Sequence, residues 1–118
     1  MDTRSKGRES EEIACQYLKE KGYKLIERNF NAKGGELDLI MQDKEFIVFV
    51  EVKSVFEDTG YSIYETLTML KKARLKKAIN IWLLKHNKLD SIWRVDFLGI
   101  VIGKENKIEH FEFLDLSK

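Results

Sequence analysis

Residues 35–53 read GELDLIMQDKEFIVFVEVK, and the fold depends on how this stretch divides. Over 35–42, Leu37, Leu39 and Met41 fall at every second position, which predicts a strand carrying those three on one face. Over 46–53, FIVFVEVK is apolar on both faces as far as Glu51. A strand of that kind belongs in the middle of a sheet covered on both sides.

Outward from this pair, residues 23–30 read as a further strand, followed by a turn over 31–35. A helix over 10–21 precedes them. Its stripe is Ile13, Ala14, Tyr17 and Leu18, and Gly22 sits where a C-cap glycine belongs. Downstream, 54–62 is irregular and polar. A long helix over 64–85 is carried by Leu67, Leu70, Leu75, Ala78, Ile79, Trp82 and Leu83. Strands over 93–102 and 107–113 close the chain. This order predicts an α/β or α+β sandwich around a mixed sheet. With 118 residues, no proline, no linker and no repeat, residues 1–118 read as one domain.

Composition narrows the function. At 43% hydrophobic and 35% charged, the chain is globular rather than disordered. No apolar run approaches the roughly 20 residues that span a bilayer. The polar stretch 1–12 lacks the core of a signal peptide, which points to the cytoplasm. One cysteine, Cys15, excludes an internal disulfide and reads as a small core residue. With two histidines, His86 and His110, a metal would be held mainly by carboxylates. The net charge of +1 gives no global field, so attraction to nucleic acid has to come from a local patch.

The chemistry concentrates where charge enters the two central strands. If Asp43 and Lys44 form a two-residue loop, Gln42 pairs with Glu45. Asp38 then lies opposite Phe49, and Glu36 opposite Glu51. Glu36, Asp38, Glu51 and Lys53 fall on one face at one end of the sheet. Carboxylates facing each other repel, and an apolar setting raises their pKa values; a divalent cation removes both penalties. An all-oxygen ligand set suits Mg²⁺, or Mn²⁺ in its place, with Asp38, Glu51 and Glu36 as ligands. Lys53 projects beside that cation, where it can orient water or neutralise phosphate charge. In the long helix, Lys71, Lys72, Arg74, Lys76 and Lys77 form a basic run able to follow a phosphate backbone. Lys71 differs from its neighbours, since it continues the core-facing line through Leu75 and Ile79 toward the open end of the sheet.

With these segments in view, the chain resembles the YraN-like family of the restriction-endonuclease-like, or PD-(D/E)xK, superfamily. The likeness runs through Gly7, Glu11-Glu12-Ile13-Ala14, Tyr17-Leu18 and Gly22-Tyr23. It continues through Glu27-Arg28-Asn29-Phe30, Gly35-Glu36-Leu37-Asp38-Leu39-Ile40, Val48-Phe49-Val50-Glu51-Val52-Lys53, Lys71 and Arg94-Val95-Asp96-Phe97. It implies an α/β fold, a central mixed sheet flanked by helices. It also implies a metal-binding Asp at Asp38 and the acid-x-Lys pair at Glu51 and Lys53. Related Holliday-junction resolvases add a Glu from the first helix, which falls on Glu11, with Glu12 as the alternative. The activity implied is Mg²⁺-dependent endonucleolytic hydrolysis of DNA, with branched or structured DNA as a candidate substrate. The alternative is a nucleic-acid-binding module that keeps the fold without cleaving. Either way a homodimer or a larger protein partner is compatible with so small a domain. Ser10, Ser54-Val55 and the ending His110-Phe111-Glu112-Phe113 depart from the family's usual Gly, Arg and Asn-Ala-Phe. Arg94 with Asp96 reads as a local ion pair, and Trp82, Trp93 and Phe97 as core.

Overall fold

A computed structural model describes residues 3–57 and 67–117. Helix α1 (Thr3–Glu20) leads into strands β1 (Lys24–Ala32), β2 (Gly35–Asp43) and β3 (Phe46–Phe56). Helix α2 (Met69–Lys85) then precedes β4 (Trp93–Ile102) and β5 (Lys107–Phe111). The five strands form one sheet in the order β1-β2-β3-β4-β5. Only β3 and β4 pair parallel, and the crossover that this requires contains α2. The mixed sheet with its two helices is an α/β fold consistent with a restriction-endonuclease-like architecture.

The apolar β3 is the central strand, as its sequence requires. Ile47 and Phe49 pack on the α2 side with Leu75, Ala78, Ile79, Trp82 and Leu83. Val48 and Val50 pack on the α1 side with Ala14, Cys15 and Leu18. Trp82 is 1% exposed, meets Phe49 edge-on at 5.5 Å, and donates its indole N–H to Glu27 at 3.0 Å. Truncating such a residue to alanine costs about 3–5 kcal/mol.

Several boundaries differ from the sequence expectation. α1 begins at Thr3 rather than at 10, because its polar first turns carry no periodic apolar signal. Gly22, at φ +98°, ends it as expected, with its N–H on Lys19 O. Residues 54–56, expected to be irregular, continue β3 because they pair with Ile100, Val101 and Ile102 of β4. α2 begins at Met69; residues 64–66 and 58–62 of the expected elements lie outside the described residues. Leu70 is 61% exposed and not part of the buried stripe, since five residues before Leu75 points it to the other side of the helix. β5 stops at Phe111, and Leu114 and Leu116 fold back on the α2-side core.

Candidate functional site

The loop between β2 and β3 is Lys44-Glu45, with Lys44 at φ +54°, not Asp43-Lys44. Gln42 therefore pairs with Ile47 instead of Glu45, and Ile40 instead of Asp38 faces Phe49. The offset is two residues, so side-chain parity on β3 is kept, but Asp38 moves beside Glu51. The β2–β3 ladder ends at Leu39↔Val50. One step further, the Asp38 carboxylate replaces a backbone acceptor: its Oδ2 takes the Val52 N–H at 2.9 Å.

The same place is irregular on the β1 side. Arg28 pairs with Leu39 and Phe30 with Leu37, bracketing Asn29 and Asp38, and Asn29 has φ +52°. Asparagine is among the few residues that take this conformation readily. As a result Leu37 and Phe30 pack on the α2 side, whereas Leu39 and Met41 pack on the α1 side. The three apolar residues of β2 do not share one face; the alternation breaks at Asp38.

Acidic groups reach this break from both layers. Asp38 and Glu51 are 7% and 3% exposed. Glu51 turns toward α2, where its Oε1 lies 2.8 Å from Lys71 Nζ. Burial, then the charge of Glu51, pushes the Asp38 carboxyl up to about 8 against the opposing Val52 N–H bond; Glu11 and Glu36 add to the rise. Burial likewise raises Glu51, opposed by Lys71 and by a hydrogen bond with Asp38. Glu11, on α1, is raised by burial, opposed by a hydrogen bond with Asn29, and raised further by Glu36 and Glu51. The acids thus converge where β2 parts from β3, between the layers, not on one sheet face. Glu11 is the helix acid that reaches them; Glu12 is exposed and paired with Arg28 at 2.6 Å. Glu36 is exposed at the rim. Lys53, two residues beyond Glu51, is also exposed, and the cation on Glu51 is Lys71.

The donor chemistry fits a hard divalent cation. Two buried carboxyls with high proton affinity can take a proton or a cation, and Mg²⁺ commonly uses one or two carboxylates and keeps several waters. Glu11 and Glu36 stand further back. Among the described residues, only Asp96, His110 and Glu112 bring three potential ligand atoms within 4.8 Å of one another. There the positive charge is already supplied: Arg94 meets Asp96 at 3.0 Å, Asp43 at 3.0 Å and Glu112 at 3.5 Å. His110, for which the sequence offered no partner, contacts Asp96 at 2.8 Å, and the Tyr23 hydroxyl donates to Asp96 and Glu112. The Arg94–Asp96 pair expected from sequence is the core of this wider network, which includes Tyr23 of the α1-side cluster.

The basic run of α2 divides into three. Lys71, Arg74 and Lys77, three residues apart, face the β1–β2 turn. A Cβ on Gly35 would lie 2.5 Å from Arg74 O, so a glycine there lets the turn seat against the helix, and Gly34 takes the turn's positive φ of +92°. Between turn and helix is a groove of about 430 Å³ whose lining includes Asn31, Glu36, Lys71 and Arg74. Lys76 lies elsewhere, beside Trp93 and the C-terminal segment. Lys72, expected with the others, is only 6% exposed, because it sits one turn before Leu75 on the buried side.

Fold and site define an α/β protein of restriction-endonuclease-like architecture with an acidic centre where its central strands part. The chain belongs to the family described as Uncharacterised protein family UPF0102, the YraN-like family, whose model matches residues 10–100. A UPF0102 protein of Carboxydothermus hydrogenoformans is 40% identical over 95% of this chain and 96% of its own length. Those of Geobacter metallireducens and Thermotoga maritima are 36% and 39% identical, covering 93% and 89% of this chain and 91% and 92% of theirs. Among the described residues, no helix is long and apolar enough to cross a membrane.

Proposed function

We propose that this chain is a Mg²⁺-dependent endonuclease that hydrolyses phosphodiester bonds in cytoplasmic DNA, with branched or structured DNA as the substrate form. The observation that carries the reading is the Asp38–Glu51 pair. Two carboxyls are buried side by side where β2 parts from β3, share a hydrogen bond, and are raised in proton affinity. Buried carboxyls whose proton affinity is raised by burial and by each other mark candidate functional sites, and a cation would offset the cost of burying them. When bound, Mg²⁺ supplies an activated water and charge compensation at the phosphate. Asp38 and Glu51 would hold it with Glu36, Glu11 would assist, and Lys53 would orient the attacking water or balance charge on the phosphate. Arg74 and Lys77 hold the neighbouring backbone phosphates. A homodimer or a larger protein partner would extend the small contact surface.

One observation favours the second reading, a nucleic-acid-binding module without catalysis: Glu51 already has a cation, Lys71, at 2.8 Å. Incubating pure protein with linear, nicked and four-way-junction DNA, with Mn²⁺ or with chelator, decides between them. Cleavage only with metal supports the nuclease; binding without cleavage on every substrate supports the module.

A further inference from the structure

Lys71 is in an unusual place for a lysine. It is the third residue of α2, and Thr68 caps that helix by accepting the Lys71 N–H at 3.2 Å. The first turn of a helix favours acidic side chains and disfavours cations, yet α2 has no acid there. Its ammonium reaches down to a carboxylate that is 3% exposed, while its own side chain remains 46% exposed. The pair is one-sided: a half-solvated ammonium on a long, flexible stem compensates a buried carboxylate. The same stem opens onto the groove beside Arg74.

We propose that Lys71 is a built-in competitor for the metal. It neutralises Glu51 in the metal-free protein, and it leaves for the groove beside Arg74 when the cation binds. The inference rests on the metal-centre reading above. A divalent cation on Glu51 would bring a second positive charge within a few ångströms of the ammonium 2.8 Å from Oε1, and that repulsion sets the two against each other. No backbone movement is needed, since the four-carbon stem can rotate about its own bonds. Metal loading therefore does two things at once: it fills the centre, and it adds a free ammonium to the row Lys71, Arg74, Lys77.

Calorimetric titration of Mn²⁺ into the wild type, Lys71→Met and Lys71→Arg tests this without any substrate. Removing the competitor is expected to lower the Mn²⁺ Kd by about tenfold or more, with Lys71→Arg staying near the wild type. An unchanged or weaker Kd in Lys71→Met, with the wild type still binding, overturns the competitor role and leaves the metal centre standing. No Mn²⁺ binding by either protein overturns the metal centre itself. Should Lys71→Met fail to fold, lysine side-chain NMR of the wild type gives the answer. The Lys71 ammonium signal shifts as Mg²⁺ saturates the protein, and an unmoved signal at saturation overturns the proposal.

Discussion

Oδ2 of Asp38 accepts the backbone N–H of Val52 at 2.9 Å, one step beyond the last backbone pair between β2 and β3. A side chain has taken over where the ladder stops. That bond anchors a carboxyl that burial and Glu51 otherwise drive toward its neutral form. It also explains how β2 can diverge from β3 without leaving the Val52 amide unpaired, a defect that costs about 1–3 kcal/mol.

The first expected outcome concerns pH. The Asp38 carboxyl is raised to about 8 in the folded protein, from an ordinary 3.8. Between these values the folded state holds a proton that the unfolded state has lost. The stability this contributes is complete below the unfolded value and is lost as pH rises through the folded one. The metal-free melting temperature will therefore fall as pH rises from about 4 to 8. Asp38→Asn, which keeps an oxygen for the Val52 N–H, will flatten that fall and melt several degrees higher at pH 8. Thermal melts in chelator across this range read both effects. A steeper fall in the variant would mean that Asp38 is stabilised as an anion.

Metal and DNA should bind cooperatively through Lys71. Ca²⁺, a cation that can bind without supporting cleavage, will tighten DNA binding by the wild type. In Lys71→Met this gain will shrink, because no ammonium is released into the groove. Fluorescence anisotropy with Ca²⁺ and with chelator measures the coupling, which must be the same whichever ligand is added first. Equal gains in both proteins would place the coupling elsewhere.

The faces of α2 are expected to separate in their salt dependence. Arg74→Glu and Lys77→Glu remove or reverse charges on the groove side, so each will weaken DNA binding and flatten the plot of log K against log salt by about one unit. Lys76→Glu, beside Trp93 and the C-terminal segment, will leave the slope unchanged. Equal effects from all three variants would mean that the helix attracts DNA only through its net charge.

The Arg94 network is expected to act through stability. Asp96 is 0% exposed and takes contacts from Arg94, His110 and Tyr23. Its carboxyl is lowered, because His110 and Arg94 outweigh burial. Asp96→Ala removes the buried carboxylate from the Arg94 guanidinium and will cost about 3–5 kcal/mol in urea unfolding. Metal binding at Asp38 and Glu51 will be unaffected in the protein that remains folded. A loss below about 1 kcal/mol would mean that Asp43 and Glu112 suffice to hold Arg94.

Much of this architecture is legible in the sequence. β4 has the expected bounds, and the two-faced apolar run of β3 identifies the central strand. Asp38, Glu51 and Lys71 meet, but through a β2–β3 register two residues from the expected one. What sequence could not supply was the hairpin register, since Asp43-Lys44 and Lys44-Glu45 are equally polar and only pairing with the rest of the sheet selects one. The break at Asp38 was hidden for the same reason, although Asn29, a residue at ease with positive φ inside a strand, was a readable sign of it. Lys72 was misplaced because a basic run says nothing about which of its members faces inward. The Arg94 network was invisible because Tyr23 and Asp96 are 73 residues apart and meet only once the sheet is assembled.

Lys53 provides the most direct test of catalysis, because it is exposed and its loss should leave the fold and the carboxyl pair undisturbed. The measurement is the single-turnover rate of four-way-junction cleavage in Mn²⁺ by the wild type and by Lys53→Ala, with Mn²⁺ binding and melting temperature recorded for both. The expected result is metal-dependent cleavage by the wild type and a rate lower by about a hundredfold or more in Lys53→Ala, with folding and Mn²⁺ binding retained. A Lys53→Ala protein that cuts as fast as the wild type, or a wild type that binds Mn²⁺ and DNA but cleaves no substrate, would contradict the proposed chemistry.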